Sequence, residues 1–217
     1  MTRVPLPASP WVFDPREWPD DDCVAAGADL EPGTVLEAYR QGAFPMPHDG
    51  ELLWWSPLLR GVLVPGDVRI SRSLAKSARH FEVTSDLSFE EVIDACADPS
   101  RPGAWIDSPI REAYVRLHRL GWAHSVETRL PDGTLVGGLY GLSVGGLFAG
   151  ESMFHRATDA SKVALVGLVE RVGDAGLIDT QWRTPHLASL GVSEWSRDRY
   201  LDRIRSLVDA PPPAPWA

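Results

Sequence analysis

Glu151, Asp179 and Gln181 are the polar side chains whose types and spacing offer chemistry. Glu151 precedes Met153 by two residues in an apolar run of strand character, so the two project to one face. Asp179 and Gln181 bear the same relation in the run Leu177–Trp182. A carboxylate beside a neutral amide, facing an acid on a nearby strand, is a site-like arrangement if those strands adjoin. The same side chains at strand edges would simply face water, and spacing alone leaves both readings open.

No familiar catalytic signature competes. The chain carries no G-x-S-x-G, no G-x-x-x-x-G-K and no H-E-x-x-H. Its histidines (48, 80, 118, 124, 155 and 186) show no ligand-like pairing, and Cys23 and Cys96 flank no metal-ligand spacing. The expectation is therefore no metal, no disulfide framework and a reducing, cytoplasmic setting. The glycines between 137 and 150 suit a hairpin as well as a phosphate cradle. One segment, Ile70–His80, is markedly basic, with Arg72, Lys76, Arg79 and His80. Lacking interleaved aromatics, it can position phosphates without reading bases, or serve as a solvated helix face.

The elements that must position these residues follow from periodicity. Residues 1–30 read as an irregular lead-in, and a short helix through Leu36, Tyr39 and Arg40 stops at Gly42. Phe44–Pro47 is extended, and Trp54–Pro57 reads as a hinge between a front module (1–57) and the rest (58–217). Strands are predicted at Gly61–Val64, Ala123–Leu130, Leu135–Leu142, Leu147–Phe154 and Leu177–Trp182, the middle pair a hairpin around Gly145-Gly146. Helices are predicted at Phe89–Ala97, from Ser108 with Pro109 in the first turn, from Thr158 or Asp159, and at Trp195–Leu207. Pro211–Pro213 reads as a stiff, disordered end. The mixture predicts an α/β or α+β fold with a mixed sheet.

At 217 residues, the chain has length for a packed core without staples, and no apolar run reaches membrane-spanning length. A net charge of −9 argues against nonspecific coating of nucleic acid, while leaving room for a local phosphate-binding patch.

Several segments together resemble the leucyl/phenylalanyl-tRNA–protein transferases: AYRQGAFPM (38–46), WWSP (54–57), ISRSL (70–74), AWI (104–106), AYVRLHRLGWAHSVE (113–127), LVGGLYGL (135–142), GESMFHRATDASKVAL (150–165) and LIDTQWRTPHLASLG (177–191). The resemblance implies a small N-terminal module joined to a domain with the GCN5-type N-acetyltransferase fold. It implies transfer of Leu, Phe or Met from aminoacyl-tRNA to proteins beginning with Arg or Lys, which marks them for degradation. No cofactor, DNA or membrane is implied. Asp179 and Gln181 match the catalytic pair, and Glu151 a contact to the incoming amine or the donor's amino group. Trp105, Tyr114, Leu139, Met153, Leu165, Leu168 and Ile178 match the pocket for the aminoacyl side chain and terminal adenosine, with Tyr39 and Met46 added by the front module. Arg72, Lys76, Arg79 and His80 match the tRNA contact. Met46 stands where some members carry tryptophan, and Val163 where some carry a hydroxyl residue. A CoA-dependent acetyltransferase is the nearest rival, but Arg156–Ser161 lacks that fold's usual glycine-rich pyrophosphate loop. A non-catalytic tRNA-binding module is the other.

Overall fold

The computed structural model describes residues 3–101, 103–212 and 216. Strands β1 (Cys23–Ala26), β2 (Phe44–His48) and β3 (Glu51–Trp55) form an antiparallel sheet in the order β1-β3-β2, with helix α1 (Pro32–Arg40) beside it. Pro32 suits the first turn of α1, where its missing N–H costs nothing. Gly42, at φ +90°, lets the chain turn back into β2. Strand β1 lies inside the expected irregular lead-in. Its four residues have no alternating pattern and are extended because they pair with β3, a tertiary cause that local sequence does not announce. The expected hinge at Trp54–Pro57 is instead a fixed joint. Trp54 and Ser56 are fully buried, the Ser56 N–H donates to the Asp22 carbonyl at 2.8 Å, and Arg197 Nε donates to the Ser56 carbonyl at 2.7 Å.

Next come β4 (Leu59–Leu63), α2 (Arg72–Ala78), β5 (Glu82–Ser85), α3 (Phe89–Cys96), α4 (Ser108–Arg119), β6 (Ala123–Arg129), β7 (Leu135–Val144) and β8 (Leu147–His155). The chain ends through α5 (Ala160–Val172), β9 (Leu177–Gln181), α6 (Pro185–Ser189), β10 (Ser193–Ser196) and α7 (Arg197–Leu207). The strands make one seven-stranded sheet, ordered β10-β4-β9-β8-β7-β6-β5. All neighbours are antiparallel except β8 and β9, which need α5 as their crossover. This is the mixed α/β architecture expected.

Neighbouring residues of β7 show how the sheet is covered. Leu139 packs into a cluster with α2 and α5, while Tyr140 packs into one built from α1, α3, α4 and α7. The second cluster reaches Phe44 and Trp54, so both sheets share a core. Local details differ from expectation at the ends. Asp107, rather than Ser108, caps α4 by accepting the Ile110 N–H at 2.9 Å. Trp195 belongs to β10, and α7 begins after the Ser196 cap. Of the expected stiff end, Pro213 lies outside the described residues. Trp216 is only 3% exposed and stacks on His124 with ring centroids 4.4 Å apart, so that ring belongs to the core. Among the described residues no helix is long and apolar enough to cross a membrane.

Candidate active site

The site lies where two parallel strands part. Strands β8 and β9 pair only along Leu147–Ala149 and Leu177–Asp179. Just beyond, each carries a bulge. Glu151 is the extra residue between the pairs Tyr140–Ser152 and Gly141–Gly150, and Thr180 the extra residue between Gly61–Gln181 and Val62–Asp179. Bulges break the two-residue alternation and re-aim side chains. A cavity of about 260 Å³ opens between the diverging ends, with walls from Leu139, Met153, Leu165, Leu168, Ile178 and Leu187. Its polar lining comes from Glu151, Gln181, Thr180, Thr184 and His186.

Glu151 is 5% exposed and sits at the end of a hydrogen-bonded chain. Tyr39, from α1, donates to Glu151 Oε1 at 2.5 Å, and its hydroxyl also bonds that of Tyr114 from α4. Gln181 Nε2 donates to the same Oε1 at 3.0 Å. The other oxygen, Oε2, is buried without a partner among the described residues. Burial raises the Glu151 carboxyl to about 8; the hydrogen bond from Tyr39, with the Tyr114 hydroxyl behind it, works against that shift, and the charge of Asp179 adds to it. With Nε2 turned to Glu151, the carbonyl of Gln181, a lining residue of the cavity, is left as an acceptor.

Asp179 takes a different place from the one its spacing implies. The bulge at Thr180 and a left-handed Gln181 (φ +60°) separate the two side chains. Asp179 is fully buried and meets a donor on every side. Arg60 Nε and the Gln181 N–H each donate to Oδ1 at 2.8 Å, while Arg60 Nη2 (2.5 Å) and the Tyr200 hydroxyl (2.9 Å) donate to Oδ2. The carboxylate therefore grips the Gln181 backbone rather than its amide, and has no oxygen left for substrate. A left-handed glutamine costs on the order of 1 kcal/mol or more and persists only when surroundings fix it. The Asp179 bond to its N–H does so, and Gly61 makes room: a Cβ there would lie 2.8 Å from the Trp182 and Arg183 backbone. Arg60 is equally buried; burial opposes its charge, but Asp179 together with the Tyr200 and Tyr39 hydroxyls raises its pKa on balance.

Leu139, Met153, Leu165, Leu168 and Ile178 all line the cavity, as the resemblance implies. Trp105, Tyr114 and Met46 do not. Tyr114 and Tyr39 are fully buried and act through the chain to Glu151, whereas Trp105 and Met46 pack, half-buried, against the cluster on the α3–α4 side. Arg60, Tyr200, Thr180, Thr184, His186 and Leu187 escaped the sequence reading. Arg60 alone had a signal, as the one charge inside an apolar strand. Truncating a wall residue should loosen selectivity by about 1–3 kcal/mol. Leu168→Ala should thus narrow the cavity's preference for a larger over a smaller apolar group, read as a ratio of dissociation constants, while Trp105→Ala should leave it unchanged.

Helix α2, anchored by buried Leu74, presents Arg72 and Lys76 to solvent, and the turn after it presents Arg79 and His80. Among the described residues, no carboxylate pairs with Arg72, Lys76 or Arg79, and the helix packs against α5. The sequence reading paired no histidines, yet the fold brings His118 and His124 onto Asp86. Their Nδ1 atoms are engaged within the protein, His118 with the Ala123 carbonyl at 2.9 Å and His124 with Asp86 Oδ2 at 2.7 Å.

Comparisons with known proteins bear on the whole chain. Residues 62–205 match the family model described as leucyl/phenylalanyl-tRNA protein transferase, and residues 28–58 match the model of its N-terminal domain. A leucyl/phenylalanyl-tRNA–protein transferase of Azoarcus sp. is 48% identical over 224 residues, covering 96% of this chain and 95% of the relative. One from Pseudomonas entomophila is 52% identical over 200 residues, covering 89% and 88%. Among solved structures, L-PGS from Bacillus licheniformis aligns with a TM-score of 0.42 and 9% identity, over 69% of this chain and 64% of that one. With both family models matched in order and relatives near half identity along almost its whole length, the chain belongs to the leucyl/phenylalanyl-tRNA–protein transferase family.

Proposed function

We propose that this enzyme, working in the cytoplasm and without a cofactor, moves Leu, Phe or Met from its tRNA to the α-amine of a protein beginning with Arg or Lys. The observation that carries the reading is the apolar cavity between β8 and β9, which has the hydrogen-bonded pair Glu151 and Gln181 in its lining. The three donor side chains are apolar and unbranched at Cβ. Such a chain fills the cavity and leaves its ester carbonyl beside Gln181. An amide is far too weak a base to take a proton outright, so Gln181 accepts a hydrogen bond from the amine and aims its lone pair. An α-amine has a pKa near 8 and a useful neutral fraction at neutral pH. The aminoacyl ester is already activated, so proximity and orientation can provide most of the acceleration.

In this reading residues 1–57 are a front module that delivers Tyr39, and residues 58–217 carry the cavity. Helix α2 holds the tRNA through phosphates. Its few cations predict affinity that falls gently with salt. Arg79→Ala should raise KM for charged tRNA and lower the salt slope by about one, with kcat largely intact. An unchanged slope would return α2 to the role of a solvated face. The reading as a whole is tested by donor identity. Radiolabelled leucine should pass from leucyl-tRNA to an Arg-initiated peptide and not from leucyl-CoA, and acetyl-CoA should not compete. Transfer from the thioester would favour the CoA-dependent rival.

A further inference from the structure

Resting on the proposed transfer, we infer that Glu151 is the proton carrier of the reaction: its free Oε2 takes the proton that the amine nitrogen loses as the C–N bond forms and passes it to the departing ribose oxygen.

The inference follows from which groups have an atom to offer. Attack by a neutral amine places a positive charge on nitrogen, and the amide forms only when that nitrogen sheds a proton. The ester C–O bond then breaks, and the leaving oxygen must gain a proton. One proton thus moves from nitrogen to oxygen, and the acceptor's earlier ionisation from ammonium to amine releases another to solvent. Asp179 is ruled out as carrier because both oxygens are filled by Arg60, Tyr200 and the Gln181 N–H. Gln181 has no useful basicity. His186 lies exposed on α6, and among the described residues no hydrogen bond joins its ring to Glu151 or Gln181. Glu151 lines the cavity, has an oxygen without a partner, and is held by Tyr39 and Gln181 through its other oxygen alone. A general base serves best with a pKa near the working pH. Burial supplies that, raising the carboxyl to about 8, close to the acceptor amine it serves. The groups facing Glu151 from other elements are Tyr39 through a hydrogen bond, Tyr114 behind it, Tyr140 on β7, and the Arg60–Asp179 pair. All three tyrosines are held neutral well past pH 10, chiefly by burial, so none titrates in the working range.

The test is the pH dependence of kcat/KM for transfer from leucyl-tRNA to an Arg-initiated peptide, between pH 6 and 8.5. With both the amine and Glu151 needing to be unprotonated, the acid limb of the wild-type profile should approach a slope of two on logarithmic axes. Glu151→Gln should be at least about a hundredfold slower, with KM for the peptide within a few-fold and a slope of one from the amine alone. Glu151→Asp should recover part of the rate and the steeper limb. A wild-type slope of one, or a Glu151→Gln defect confined to KM, would overturn the inference while leaving the transfer itself intact. Absence of transfer by folded wild-type protein would instead refute the reading beneath it. Stability gives a second measurement independent of catalysis. The raised carboxyl keeps its proton in the fold after the unfolded chain has lost it. Glu151 therefore costs stability as pH rises from its ordinary range through about 8. Glu151→Gln should match wild type in Tm near pH 4.5 and exceed it increasingly up to pH 8. An equal difference at every pH would show that the carboxyl is not raised and overturn the assignment.

Discussion

Single-turnover transfer by Gln181→Ala is expected to fall at least about a hundredfold, the usual scale for a positioned proton-handling group, while affinity for charged tRNA stays near wild type. The substitution removes the carbonyl that aims the attacking amine and the Nε2 donor that holds Glu151 Oε1 at 3.0 Å. It leaves the apolar walls and helix α2 untouched. Because Gln181 and Glu151 touch, their losses should not add: Gln181→Ala/Glu151→Gln should be little slower than the worse single variant. A well-folded Gln181→Ala with near-normal rate would remove the amide from the mechanism and leave positioning by the cavity as the whole of catalysis.

Arg60→Met is expected to destabilise the protein by about 3–5 kcal/mol, the scale for stripping the partner from a buried charge. Asp179 would then keep only the Tyr200 hydroxyl and the Gln181 N–H. Adding Asp179→Asn should restore part of the loss, because the stranded charge disappears. That recovery, measured by denaturant unfolding, separates a charge clamp from simple loss of packing around Arg60. Asp179→Asn alone should slow transfer by loosening the left-handed turn at Gln181 rather than by flipping its amide, since the carboxylate touches only the backbone of that residue. If the double variant is as unstable as Arg60→Met, the pair contributes by shape and not by charge.

What the sequence showed depended on whether local pattern or tertiary pairing governed each element. Amphipathic α3 and α4 and the hairpin β7–β8 follow local periodicity, so they were legible. Strands β1, β5 and β10 are four residues each and exist through their neighbours, so they were not. Glu151 and Gln181 could be picked from type and spacing, yet the reason they meet is a bulge on each strand, and bulges leave no mark in alternation. The Asp179–Gln181 pairing was misjudged for the same cause: an i, i+2 rule presumes a flat strand, and Gln181 is left-handed. Tyr39 reaches Glu151 across 112 residues of chain, a contact no local pattern encodes.

The central claim is that a leucyl group ends on the α-amine of an Arg- or Lys-initiated protein. Its most direct measurement is mass spectrometry of an Arg-initiated peptide after incubation with leucyl-tRNA and the enzyme, beside the same peptide N-acetylated. The account predicts a single added leucine, located before the arginine by fragmentation, and none on the blocked peptide. Leucine on an internal lysine, or on the N-acetylated peptide, would contradict it.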